Sequence, residues 1–126
     1  MKSKYLVLIG IVIIVVLGLS IGKSRLYKSA AEPEAYRDTH NLILTKHVKC
    51  RMDCRYITEQ EIKEVISEGT INHSKSGRGS KGDETYALEG YGDEHQHIRV
   101  VVAPENDGLV VITCIDLDRE WPCNCY

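Results

Sequence analysis

Apolar residues are spaced in several different ways along this chain, and each spacing predicts a different element. Residues 5–22 read LVLIGIVIIVVLGLSIG after Tyr5, carry no charge, and as a helix would span ~27 Å, close to the hydrocarbon thickness of a bilayer. Gly18, Leu19 and Ser20 offer small residues for a signal-peptide cleavage site. The run is longer than a usual signal-peptide core, however, so an uncleaved single transmembrane helix over residues 1–22 is expected. Residues 23–40 lack a sustained apolar period and contain Pro33, which reads as a juxtamembrane linker. Leu42, Ile43 and Leu44 are consistent with a short first strand. Val48, Met52, Ile62, Val65 and Ile66 then recur at helical spacing.

Thr45 is a plausible N-cap for the first helix. For the second, Thr58-Glu59-Gln60-Glu61 is a capping box, Ile57 can staple onto Ile62, and Gly69 is placed to stop the helix as a left-handed residue. The polar, glycine-rich residues 73–84 read as a hairpin loop. The spacing of Gly77, Gly79 and Gly82 fits neither a dinucleotide loop nor a P-loop. Beyond it the apolar period falls to two, and residues 85–91, 97–103 and 109–117 read as strands, the last two joined by the turn Pro104-Glu105-Asn106-Asp107-Gly108. Helix, helix and meander predict an α+β fold: one or two short helices packed on a small antiparallel sheet in residues 41–126, preceded by a single transmembrane helix.

The chemistry is concentrated in residues 47–57. At ~100° per residue, His47, Cys50, Arg51, Cys54 and Arg55 share one helix face, while Val48 and Met52 point to the core and Lys49 and Asp53 to solvent. Alternation along the second strand puts His97 and Arg99 on one sheet face with Val101. The chain has no Phe and one Trp, so Ile, Val, Leu and Tyr must form the core and a deep ligand cavity is not expected.

Charge narrows the range of partners. The formal charge of −2 divides into +3 over residues 1–40 and −5 over residues 41–126. A domain that binds nucleic acid through phosphate contacts is usually basic, so RNA is disfavoured as a partner. Basic residues flank both ends of the apolar run and set orientation poorly. The short N-terminus favours a single-pass membrane protein with its domain outside the cytoplasm.

Thr45-x-His47, Arg51-Met52, Arg55-x-Ile57, the capped helix and a meander ending in Val111-Ile112-Thr113 together resemble the bacterial domain of unknown function 4258. That family is similar in fold to the RelE-like ribonuclease toxins. The resemblance implies a RelE-like arrangement and, as one functional reading, cleavage of RNA through its own 2′-hydroxyl. In that reading His47 or His97 would move protons while Arg51, Arg55 and Arg99 stabilise the phosphate. The membrane segment, the acidic domain and the tail Trp121-Pro122-Cys123-Asn124-Cys125 depart from a free-standing toxin.

Because no catalytic triad can be assembled from these residues, the leading expectation is a non-enzymatic module that binds an unknown protein or peptide through the helix-borne His/Arg/Cys face. The structural alternative has Arg51 and Arg55 paired with Glu89, Asp93 or Asp116, and His47 bonded inside the helix corner. His73 and His95, in expected loops, are weaker candidates. Cys50 and Cys54 are expected to meet Cys123 and Cys125, either as a tetrahedral Zn²⁺ site or as two disulfides; pairing within each close pair would be geometrically strained. Export favours the disulfides. Cys114, in an apolar strand, reads as an inert core thiol.

Overall fold

In the computed structural model, which describes residues 35–126, two threonines start the two helices. The Thr45 hydroxyl accepts from the Val48 N–H at 3.2 Å and opens α1, Lys46–Arg55. Helix α1 ends where Tyr56 turns left-handed, with φ 56° and ψ 37°, and the next N–H, that of Ile57, bonds the Met52 carbonyl at 3.0 Å. Two residues later Thr58 opens α2, Glu59–Glu68, with both halves of the capping box formed: Glu61 N–H to the Thr58 hydroxyl at 3.2 Å, and Thr58 N–H to the Glu61 carboxylate at 2.8 Å.

Gly69 stops α2 for a different reason from the one its position suggests. Its φ is −65°, an ordinary extended conformation, and its N–H still bonds the Val65 carbonyl at 2.9 Å. What requires glycine is space, because a Cβ here would overlap the carbonyl oxygens of Val65 and Glu89, both backbone atoms that cannot move independently. Gly69→Ala is therefore expected to destabilise the domain by about 1–3 kcal/mol through overpacking, read as a lower urea midpoint. An unchanged midpoint would mean that the junction yields.

The strands are β1, Leu42–Leu44; β2, Thr70–Ile71; β3, Gly77–Arg78; β4, Glu84–Tyr91; β5, His97–Glu105; and β6, Gly108–Asp116. They form a sheet in the order β1-β6-β5-β4-β2, with β3 paired to β4. The pairs β6-β5, β5-β4 and β4-β2 are antiparallel, and β5 and β6 turn tightly at Glu105–Gly108. Strand β1 instead runs parallel to β6, with Leu42 opposite Leu109 and Leu44 opposite Val111. The sheet is thus six-stranded and mixed, which corrects the expected small antiparallel sheet. The physical reason is connectivity: two helices and the meander intervene between β1 and β6, long enough for the crossover that a parallel pair requires.

Helix α1 packs on β6, and α2 packs on β4 and β5. Val48, Met52, Ile57, Ile62, Val65 and Ile66 meet Leu88, Ile98, Val100, Val102, Leu109, Val111 and Cys114 in one core. The opposite face of β5 carries half-buried His97, Arg99 and Val101, as strand alternation requires. Before β1, a 3₁₀ turn at Ala35–Arg37, within the expected linker, stacks Tyr36 on Tyr86 with 4.2 Å between ring centroids.

Among the described residues no helix is long and apolar enough to cross a membrane. Helices α1 and α2 have ten residues each, ~15 Å, half a bilayer's hydrocarbon core. Among the described residues the fold class is accordingly corrected to α+β with no transmembrane helix, and nothing in them supports the single-pass, extracytoplasmic placement. The run over residues 5–22 on which that expectation rested lies outside the described residues.

Candidate functional site

The polar face of α1 is not an open surface. Cys50 is bonded to Cys125 and Cys54 to Cys123, so the tail runs antiparallel along the helix past Arg51 and Arg55. The tail thus folds back onto the first helix, and the four sulfurs are paired as two disulfides between helix and tail. Among the described residues no group of three or more His, Cys, Asp or Glu side chains is arranged to hold a metal ion.

The five candidate catalytic residues lie in three places. Arg55 is buried beneath α1 and its guanidinium donates to the Cys114 carbonyl. Arg51, one turn earlier, is half-buried, and its Nε–H is buried with no acceptor. Desolvation, followed by the neighbouring Arg51 charge, lowers the Arg55 pKa, while Cys114 and Asp116 act the other way. His47 stands exposed at the N-terminus of α1, beside a small apolar hollow floored by Ala103, Val110 and Ile112. His97 lies at the far end of β5, stacked on Tyr91 with centroids 4.6 Å apart. Ala103 lies six positions further along β5, ~20 Å at strand rise.

Arg99, on the face away from the helices, is bound to Glu89 at 2.7 Å, and Asn72 donates to the same carboxylate at 2.8 Å. Burial alone would raise the Glu89 pKa, but these bonds and the Arg99 charge lower it. Cys114 has no exposed surface, and burial pushes its thiol up to about 11, where it stays protonated and unreactive at neutral pH.

A second group of residues converges at the corner between α1 and α2. The Asp116 carboxylate is buried and accepts four hydrogen bonds: from Gln96 Nε2 and Trp121 Nε1, both at 2.7 Å, and from the N–H groups of Asp118 at 2.9 Å and Arg119 at 3.2 Å. Burial alone would raise its pKa, yet the four donors outweigh burial and hold the carboxyl below its usual value. Gln96 also donates to the Arg55 carbonyl at 3.2 Å, tying the β4–β5 turn to the end of α1. The Trp121 indole lies 5.5 Å from the Tyr56 ring, and the Arg119 guanidinium sits 4.1 Å over the indole face. Tyr56 itself is 78 % exposed. These side chains border a cleft of about 430 Å³ that Glu61, Glu94 and Asp118 also line. Two non-glycine residues with positive φ, Tyr56 at 56° and His95 at 61°, stand on its rim.

Residues 44–116 match the sequence profile of the domain of unknown function DUF4258. The chain belongs to the DUF4258 family. No curated protein and no solved structure matches it, so no comparison extends to the RelE-like toxins. Within the DUF4258 domain lie His47, Arg51, Arg55, His97 and Arg99, and Asp116 is its last matched residue. Trp121, Cys123 and Cys125 fall beyond the match. The tail that closes the cleft and covers the face of α1 is therefore attached to the DUF4258 domain from outside the matched residues.

The convergence of Asp116, Gln96 and Trp121 was not legible in the sequence, because they come from the end of β6, the β4–β5 turn and the tail. Their one local signal is a single Trp five residues after an Asp, at the end of an apolar strand.

Proposed function

We propose that this domain is a non-enzymatic binding module that engages a protein or peptide segment at the Tyr56–Trp121 cleft. The observation that carries the reading is the pair of aromatic side chains, one exposed and one half-buried, held over a carboxylate whose hydrogen bonds fix the Trp. Exposed Tyr and positioned Trp supply large contact area at little entropic cost, which is why they dominate binding hot spots. The exposed carboxylates lining the cleft, Glu94 and Asp118, favour a segment that carries basic side chains. The expected helix-borne site is thereby relocated: its cysteines are spent on the tail, and it is the corner at Arg55 and Tyr56 that opens onto the aromatic cleft.

Trp121 is the only tryptophan of the chain, so its fluorescence reports directly on the cleft. Titration of the full-length oxidised protein with a panel of basic, neutral and acidic peptides is expected to shift Trp121 emission for the basic members. Tyr56→Ala should weaken that binding by roughly 30-fold, the size of a hot-spot loss. Equal, non-saturating responses to every peptide would remove the reading.

Ribonuclease chemistry is favoured by one observation, the unpartnered Nε–H of Arg51. The separation of His47 from His97 and the ion pair that occupies Arg99 weigh against the five residues acting together. Cleavage of single-stranded RNA by the full-length protein, abolished by His47→Ala, would replace the binding reading with the enzymatic one.

A further inference from the structure

We propose that Arg51 and Arg55 form a binding site for a phosphoryl-type oxyanion between α1 and the disulfide-bonded tail. The two guanidinium-bearing residues are one helical turn apart, and Cys50–Cys125 and Cys54–Cys123 bring the tail alongside both. Among the described residues neither arginine forms an ion pair. The nearby carboxylate, Asp116, spends its oxygens on Gln96, Trp121 and two backbone N–H groups. One carbonyl, that of Cys114, is the sole hydrogen-bond acceptor that the pair has in the fold.

Two adjacent cations in a partly desolvated setting, within a region of net charge −5, would ordinarily be neutralised by the abundant carboxylates. Here no carboxylate contacts either one, Asp116 acting on Arg55 only through space, and the Arg51 Nε–H is the one buried side-chain polar atom among the described residues without a hydrogen-bond partner. The missing element is an acceptor bearing negative charge. A tetrahedral oxyanion meets that need, since it can take the Nε–H and a terminal N–H of one arginine side by side and still present an oxygen to the second. Burial first and the Arg51 charge second lower the Arg55 pKa, and the same anion would offset both. The inference does not depend on the cleft reading, because Tyr56 and the Trp121 ring take no part in it.

Free phosphate or a phosphate monoester could supply this chemistry, as could the phosphodiester of a nucleic acid, and two arms separate the sources. In the first arm, thermal unfolding of the full-length oxidised protein is followed in inorganic phosphate and in chloride of matched ionic strength. Phosphate is expected to raise the midpoint in a saturable way, and Arg51→Met, which keeps the apolar stem, should weaken phosphate binding at least ten-fold. In the second arm a short 2′-deoxy oligonucleotide, which lacks the hydroxyl needed for self-cleavage, is titrated against the same two proteins. Binding of the oligonucleotide that Arg51→Met abolishes identifies the diester as the ligand; binding of inorganic phosphate alone identifies the free anion or monoester. Equal midpoints in phosphate and chloride, with no Arg51-dependent oligonucleotide binding, overturn the proposal. So does a phosphate effect that Arg51→Met retains in full. Arg51→Lys provides the control for charge without the planar fork: it is expected to bind phosphate more weakly than the wild type, and undiminished binding would also count against the site.

Discussion

Removing both disulfides is expected to destabilise the domain by roughly 6–7 kcal/mol, half or more of the stability that a domain of this size usually has. The two bonds are nested. Cys54–Cys123 spans a sequence separation of 69 residues, and closing so long a loop removes about 4 kcal/mol of chain entropy from the unfolded state. Once it is closed, Cys50–Cys125 adds only a small ring, because four positions separate Cys50 from Cys54 and two separate Cys123 from Cys125. That ring contributes about 2–3 kcal/mol. Either bond alone closes the long loop, so Cys50→Ala/Cys125→Ala and Cys54→Ala/Cys123→Ala should each lose about 2–3 kcal/mol, while the quadruple variant loses the full amount. Equilibrium urea unfolding of the three variants, with the wild type in the presence and absence of a dithiol, measures all of these. If removal of either pair alone proved as damaging as removal of both, the nested-loop account would be wrong.

Features that depend on neighbouring residues could be read from the sequence. The Thr58–Glu61 box, the cap at Thr45, the Val48/Met52 face and the His97/Arg99 alternation all follow from local geometry, and the fold keeps each of them. The meeting of Cys50 and Cys54 with Cys123 and Cys125 was also legible, because strain forbids each close pair from bonding within itself and leaves the other pair as partner.

What could not be read was where long-range contacts turn each polar group. Arg55 lies on the predicted chemical face of α1, but that face meets β6, so its guanidinium bonds the Cys114 carbonyl instead of projecting to solvent. Glu89 and Asp116, expected to pair with Arg51 and Arg55, are bound elsewhere: Glu89 to Arg99 across adjacent strands, and Asp116 to Gln96 and Trp121. Gly69 looked like a left-handed stop and is instead a point where the end of α2 crosses the backbone of β4 too closely for a side chain. The parallel pairing of β1 depends on which sheet edge the meander leaves vacant. No window of residues around Leu42 contains that information.

The cleft offers the most sensitive electrostatic test. Asp116→Asn keeps the shape of the side chain, but each wild-type oxygen already accepts two hydrogen bonds: Oδ2 from Gln96 and Trp121, Oδ1 from the N–H groups of Asp118 and Arg119. An amide must aim its NH₂ at one of these pairs of donors, and it also removes the negative charge that favours the Arg55 cation. Leaving two donors unsatisfied and a buried arginine uncompensated is expected to lose about 3–5 kcal/mol at pH 7. The loss should depend on pH in one direction. Because the folded protein holds the Asp116 pKa below its usual value, ionised Asp116 contributes stability that is fully present above the unfolded carboxyl pKa, ~3.9, and disappears as pH falls through the lower folded value. The gap between the wild type and Asp116→Asn in urea unfolding should therefore be constant from pH 7 down to about 5 and narrow below pH ~4. Trp121 fluorescence provides a second readout, since its N–H loses a charged acceptor in the variant and the indole should become more solvent-exposed and emit further to the red. A gap that persists undiminished at low pH, or Trp121 emission unchanged by Asp116→Asn, would mean that the carboxylate is not what holds the tryptophan in the cleft.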